Sequence, residues 1–233
     1  MIYGLIIAAG KQSRFESDIP KALVPYKGRR LLDINVDIMK SVCDVVYVVV
    51  SNESKELFDG FNRISIDSGY GCGDAVYKAL CCLNITDEDT VFIQWGDATN
   101  DAFIFRMLKY NYTGEGVIIP CVWEDNPYVQ VKPVDENHVK VLFSKYKEPI
   151  TAGWHDLSLF YGNALQIWEY LNQYSKIAFD NSAHGNEMQF LDVFNYTDIP
   201  AEVMPVVDYK SFSFNTKEEY LKLVNRSSDA SSI

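Results

Sequence analysis

Long apolar runs are missing from this 233-residue chain. No stretch reaches the roughly 18 consecutive apolar residues of a membrane span, so a membrane is not an expected partner. Cysteine is sparse and unpatterned. Cys43, Cys72, Cys81, Cys82 and Cys121 form an odd set with no C-x-x-C spacing. That argues against a disulfide framework or a structural zinc site, and it fits a reducing cytoplasm. Positive charge is also short: 21 Lys and Arg stand against 32 Asp and Glu, a formal net charge of −11. Nucleic-acid binders present a large basic face, so no nucleic-acid partner is expected. Internal repeats and low-complexity linkers are absent. The apolar start, Met1 to Ala9, lacks a basic flank and a cleavage site, and reads as a first strand and not as a leader.

What is present is ordinary globular material, 48% hydrophobic and 23% charged, enough to bury a core. The expected organisation is a single domain over residues 1–225, with a first half (1–122), a second half (123–225) and a flexible polar tail (226–233). In the first half, strand and helix signals alternate. Tyr3–Ala8, Val45–Val50, Thr90–Gln94 and Val117–Val122 are buried-strand runs. Leu31–Met39, Asp74–Leu83 and Ala102–Leu108 carry helical spacing. Repeated βα units predict an α/β fold with a mostly parallel central sheet and helices on both faces. The second half predicts a small antiparallel subdomain: Tyr128–Val134 and Val139–Ser144 flank a turn, and Leu157–Tyr161 adds a strand. Helices are expected around Ala164–Leu171 and Met188–Phe194, and short strands at Val203–Val207 and Phe212–Phe214. Thr216-Lys217-Glu218-Glu219 reads as a capping box.

The most informative segment is Leu5-Ile6-Ile7-Ala8-Ala9-Gly10-Lys11-Gln12-Ser13-Arg14-Phe15, followed by Pro20-Lys21-Ala22-Leu23-Val24 and Gly28. A strand that ends in small residues lets the backbone approach a ligand and cradle phosphates with successive N–H groups. Arg14 adds a planar fork suited to phosphate oxygens, and Pro20 stiffens the approach of Lys21. Between positions 11 and 30, Lys11, Arg14, Lys21, Lys27, Arg29 and Arg30 face only Glu16 and Asp18, a local excess of four positive charges in an acidic chain. The segment is neither a P-loop nor a dinucleotide-binding G-x-G-x-x-G, since only Gly10 is in place.

This segment resembles the signature of nucleotidyltransferases with the GT-A-like, Rossmann-like fold, roughly A-A-G-x-G-x-R…P-K-x-L…G. That group takes in sugar-1-phosphate nucleotidyltransferases, MobA-like guanylyltransferases and cytidylyltransferases. Ala8, Ala9, Gly10, Arg14, Pro20, Lys21, Leu23 and Gly28 match, while Gln12 stands where a second glycine is usual. The resemblance implies Lys21 and Arg14 as catalytic residues, and NTP contacts from Ala8, Ala9, Gly10, Lys11, Gln12 and Ser13. Gly73, Asp74 and Ala75, in a glycine-rich turn before a helix, would touch the base, which favours CTP or UTP. Asp97, at the end of a strand, and Asn215, before the last helix, would hold magnesium. Acceptor-binding candidates are Tyr128, Lys145, Trp154, His155, Asp156, Tyr161 and Glu187. The implied reaction moves a nucleoside monophosphate, CMP or UMP, from an NTP to a phosphorylated small acceptor (a phospho-alcohol, a phospho-amino acid or a sugar phosphate). It releases pyrophosphate and would serve bacterial capsule or lipid modification in the cytoplasm. Homodimerisation is left open. The alternative is a non-catalytic nucleotide sensor on the same fold.

Overall fold

The computed structural model describes residues 1–10, 15, 17, 19–67, 69–144, 150–181, 186–210 and 212–229. The strands are β1 (Ile2–Ile7), β2 (Pro25–Tyr26), β3 (Arg29–Arg30), β4 (Val45–Ser51), β5 (Arg63–Ile66), β6 (Thr90–Trp95), β7 (Ala98–Thr99), β8 (Val117–Asp125), β9 (Val129–Pro133), β10 (Val139–Phe143), β11 (Ala152–Asp156), β12 (Leu159–Asn163), β13 (Ala201–Pro205) and β14 (Phe212–Ser213). The α-helices are α1 (Leu31–Lys40), α2 (Cys72–Cys81), α3 (Ala102–Asn111), α4 (Ala164–Ser175), α5 (Ala178–Asn181), α6 (Val193–Tyr196) and α7 (Lys217–Asp229).

An eight-stranded sheet runs in the order β11-β8-β12-β6-β1-β4-β5, with β13 also on β8. β1 pairs in parallel with β4 and β6, β4 with β5, and β8 with β13, while β12 runs antiparallel to both β6 and β8. The sheet is thus mostly parallel, as the alternating signals predict. Strand side chains alternate between two apolar layers. Leu5, Ile7 and Ile93 face a core shared with Val76, Leu80, Ile167, Leu171 and Phe190. Ile6, Ala8 and Phe92 face Leu32, Val36, Met39, Phe105 and Leu108 on the other side. The helices over these faces keep amphipathic spacing for that reason: α1 buries Leu31, Leu32, Val36 and Met39.

A third cluster lies off the sheet. Phe15, Val24, Tyr26, Leu31, Phe212 and Phe214 bury one another, with Tyr220, Leu223 and Val224 packed on them. Ring centroids are 3.9 Å apart for Tyr26 and Phe212, 5.5 Å for Phe15 and Phe214, and 5.2 Å for Phe214 and Tyr220. The Tyr220 hydroxyl donates to the Pro25 carbonyl at 2.6 Å. β14 and α7 are thereby fastened to the loop that leaves β1.

Several local expectations change. Met188–Phe194 is not one helix. The Met188 N–H donates to the Tyr70 carbonyl at 2.7 Å and its carbonyl accepts from Gly73 N–H at 2.9 Å, so its backbone is committed to a cross-chain ladder. Helix begins only with a 3-10 turn at Phe190–Asp192, ahead of α6. Leu157 does not open a strand. β11 ends at Asp156, and Ser158 takes a left-handed φ of 57° before β12 starts. α7 continues to Asp229, so part of the polar stretch expected as a tail is helical.

Candidate nucleotide site

The site is built at the C-terminal ends of β1 and β6, where parallel sheets leave room for ligands. The two strands are in register to their ends, with Ile7 opposite Trp95. The Gly96 N–H continues the ladder to the Ile7 carbonyl at 2.9 Å. A side chain at position 96 would sit 2.9 Å from that carbonyl oxygen and 3.2 Å from Ala22 Cβ, so glycine lets the chain turn flush against β1. On the neighbouring strand end, Ala8 N–H donates to Val49 carbonyl at 2.8 Å, and Ala8 and Ala9 are buried. Gly10 is exposed, and a Cβ there would meet no described atom within 4 Å.

Lys21 opens a short 3-10 turn, Lys21–Leu23, and is 9% exposed. Its ammonium donates to Asp97 Oδ2 at 3.1 Å and, at 3.4 Å, to the Phe214 carbonyl, and it lies 5.9 Å from the Phe214 ring centre. Asp97 directly follows Gly96, and its side chain keeps 29% exposure. The link to Phe214 is topological. β7, one residue beyond Asp97, pairs with β14 so that Ala98 faces Ser213 and Thr99 faces Phe212. Asn215 follows Phe214 and is exposed. Its N–H donates to Glu219 Oε2 at 2.6 Å, as does that of Thr216 at 3.2 Å, while Glu219 N–H donates to Thr216 Oγ1, which is the expected capping box. The structure therefore brings Lys21, Asp97 and the Phe214–Asn215 corner together. The other residues expected at the phosphates, Lys11, Gln12, Ser13 and Arg14, lie outside the described residues.

Among the described residues no three His, Cys, Asp or Glu gather into a metal cage. A lone carboxylate on a strand end, with an amide on the next corner, instead fits magnesium, a cation that completes its shell with phosphate oxygens and water.

Charge counting along the sequence misleads at one point. Arg29 pairs with Asp37 at 2.6 Å, and Arg30 holds Asp33 through two bonds of 2.8 Å. The bonds to Asp33 raise the Arg30 pKa and lower that of Asp33. Both acids come from α1, beyond the window in which the basic excess was counted. Gly28 serves the β2–β3 hairpin: with Lys27 (φ 48°) and Gly28 (φ 76°) both left-handed, it makes the tight two-residue turn.

The second glycine turn has a different environment. Gly71 has φ 98° and abuts the Met188 backbone, and a Cβ at Gly73 would sit 2.9 Å from Met188, Gln189 and Phe190 backbone atoms. Asp74 is buried and paired with Lys78 at 2.7 Å, and Ala75 belongs to the core. Lys78 also lies 4.9 Å from the Tyr70 ring centre, and the ring itself is half exposed.

The acceptor candidates separate into two groups. Trp154 is half-buried and meets its cross-strand partner Trp123 edge-on, at 5.2 Å and 87°. His155 Nδ1 is bonded to Glu124. Burial opposes the charged imidazole, but that bond and the nearby Asp156 and Glu124 charges outweigh it and raise the His155 pKa, while Glu124 is lowered by the same bond. Tyr128 and Glu187 are exposed, and Glu187 accepts from Gln189 Nε2 at 2.9 Å. Lys145 lies outside the described residues. The other group points inward. Asp156 is 6% exposed, accepts from Ser158 N–H at 2.9 Å, and has its pKa raised by burial. Tyr161 is buried in the core. It sits mid-strand opposite Phe92, stacks on that ring at 4.1 Å and shares a 2.9 Å hydrogen bond with Thr90. Trp123 and Glu124 escaped sequence reading because Trp123 meets Trp154 only through the β8–β11 register, and Glu124, opposite Gly153, reaches His155 diagonally across it.

A strand that ends in small residues, a buried lysine behind it and a carboxylate on the adjacent strand end are the features that the structure brings together. Residues 4–158 match the MobA-like NTP transferase domain, and the chain belongs to that family. It is 33% identical over 99 residues to the bifunctional protein GlmU of Buchnera aphidicola subsp. Schizaphis graminum, a match that covers 40% of this chain and 21% of GlmU. The chain thus spans about a fifth of the length of such relatives. Its fold is similar to that of HddC from Yersinia pseudotuberculosis complexed with GMP-PN, with a TM-score of 0.71 and 15% identity over 97% of this chain and 99% of that one. The inositol-1-phosphate CTP transferase from T. maritima is also similar, at TM-score 0.70 and 14% identity over 96% and 95% of the two chains.

Proposed function

We propose that this nucleotidyltransferase transfers CMP or UMP from CTP or UTP to a phosphorylated small acceptor, in the cytoplasm, for surface polysaccharide or lipid modification. The observation that carries the catalytic reading is the Lys21 ammonium held between Asp97 and the Phe214 carbonyl at the mouth of β1 and β6. An acceptor phosphate oxygen attacks the α-phosphorus. The new P–O bond forms as the bond to the β-phosphate oxygen breaks, and pyrophosphate leaves with the electron pair. The acceptor phosphate, with a second pKa of about 6, is already largely ionised at neutral pH and needs no strong base. Lys21 stabilises charge around the α-phosphorus or the acceptor phosphate, and Arg14 and Lys11 hold the leaving phosphates. Magnesium, held by Asp97 and Asn215 with the triphosphate, would neutralise charge on the phosphate oxygens.

The pyrimidine preference rests on the resemblance of the Gly69–Ala75 turn, beside which stand Tyr70 and the Asp74–Lys78 pair. Relatives differ in base: one solved neighbour carries GMP-PN and another is named for CTP. For the acceptor, the half-exposed Trp123–Trp154 pair with Glu124 and His155 supports a phospho-alcohol or phospho-amino acid as well as a sugar phosphate. The deciding experiment measures pyrophosphate release with each of four NTPs against a panel of phosphorylated acceptors. Release with CTP or UTP and one acceptor class supports the reading. Binding without release under any pairing would favour the sensor alternative, and selective use of GTP or ATP would overturn the base assignment.

A further inference from the structure

Gln94 is an anomaly in β6. It sits between Ile93 and Trp95 in a strand whose other central residues are apolar, and it is 1% exposed. Asn35 is its counterpart on α1, also 1% exposed on a face otherwise made of Leu31, Leu32, Val36 and Met39. Both side chains do the same thing. Gln94 Nε2 and Asn35 Nδ2 each donate to the carbonyl of Ala98, both at 2.8 Å. Ala98 is the residue after Asp97, and its backbone pairs with Ser213 at the start of the corner that leads to Asn215. The amide oxygens of both side chains find no partner among the described residues. Burying an unpaired amide oxygen is destabilising, so leucine or methionine would suit either position better if packing were the only demand.

We infer that Gln94 and Asn35 are positioning residues, a buried amide brace on the Ala98 carbonyl that fixes where the Asp97 carboxylate stands relative to Lys21 and the Asn215 corner. This rests on the reading of Asp97 as a metal-holding residue. The brace explains why a turn of one glycine and one aspartate stays in a single geometry. Two donors from different elements, the sheet and a helix, converge on one acceptor, so the turn cannot rotate without losing both.

The test replaces donors without opening a cavity: Gln94→Met, Asn35→Leu and the double variant. Mn²⁺ uptake in the presence of CTP is followed by electron paramagnetic resonance, alongside thermal midpoints. Loss of one hydrogen bond that orients a ligand is expected to weaken Mn²⁺ binding by roughly 3- to 10-fold for each single variant, and by more for the pair. Thermal midpoints of the single variants, in which the Ala98 carbonyl keeps one donor, should hold or rise, while the double variant, which removes both, should melt lower. Under saturating Mn²⁺, kcat should recover toward wild type with KM for CTP unchanged. Wild-type Mn²⁺ affinity in all three variants would overturn the positioning role alone, as would a loss in the single variants that merely follows a falling midpoint. A wild-type protein that takes up no Mn²⁺ would overturn the metal reading of Asp97, and the positioning role with it.

Discussion

Gly10 follows the end of β1 and Gly73 lies in the first turn of α2, and their surroundings among the described residues are opposite. Around Gly10 a side chain would meet no described atom within 4 Å, whereas at Gly73, as at Gly71, it would run into the backbone of Met188–Phe190. Packing among the described residues therefore demands glycine at the start of α2 and makes no such demand at Gly10. Gly71 and Gly73 thus serve the packing of the start of α2 against residues 188–190.

This contrast can be tested from its strongest effect downward. Asp97→Ala and Lys21→Ala should leave folding nearly intact and take turnover down, by about 10²–10³-fold for Lys21, with Lys21→Arg rescuing poorly because a planar fork does not replace an ammonium. Single-turnover rates beside thermal midpoints measure this. A normal kcat in either variant would break the chemical reading of the Gly10 corner. Gly71→Ala and Gly73→Ala should do the reverse. Overpacking against a backbone destabilises by about 1–3 kcal/mol, which lowers the midpoint by roughly 2–4 °C per kcal/mol in a chain of this size. If both variants melt like wild type, the architectural reading fails. Gly10→Ala is expected to change stability by less than about 1 kcal/mol while weakening triphosphate binding, a difference that titration calorimetry resolves. The smallest effect concerns the acceptor side. The raised His155 pKa contributes stability that is complete below the ordinary value near 6.5 and is lost as pH rises through the raised one. With the pair partly open to solvent, about 1 kcal/mol or less is at stake. Denaturation midpoints of His155→Gln across pH 5 to 9 should lack that slope, and an unchanged slope would remove His155 from the account.

The strands of the parallel sheet, their helices and the Gly-Asp strand end were readable because each depends on local pattern: β-branched runs, helical spacing, small residues at a turn. The capping box at Thr216 was readable for the same reason. The meeting of Asp97 with the Phe214–Asn215 corner was implied by the resemblance and by no local pattern. It depends on β7 and β14, two residues each, which are too short to carry any periodicity. Gln94 was passed over because one polar residue in a strand reads as noise until its acceptor is seen. The burial of Tyr161 was not readable either: aromatic residues suit both ligands and cores, and its place opposite Phe92 appears only in the register.

The aromatic cluster that joins Phe15 and Tyr26 to Phe212, Phe214 and Tyr220 has a consequence for how the molecule is made. It ties a segment near the beginning of the chain to one roughly two hundred positions later. On the ribosome, β1, β4, β5 and β6 can assemble while the rest is still being translated, since domains form as their residues emerge. The corner around Lys21 cannot close then, because the Phe214 carbonyl and the rings that cover Phe15 have not yet left the exit tunnel. The order of synthesis therefore lets the Lys21 corner close only after the segment around Phe214 and Tyr220 has emerged, and its loop is a long one to close.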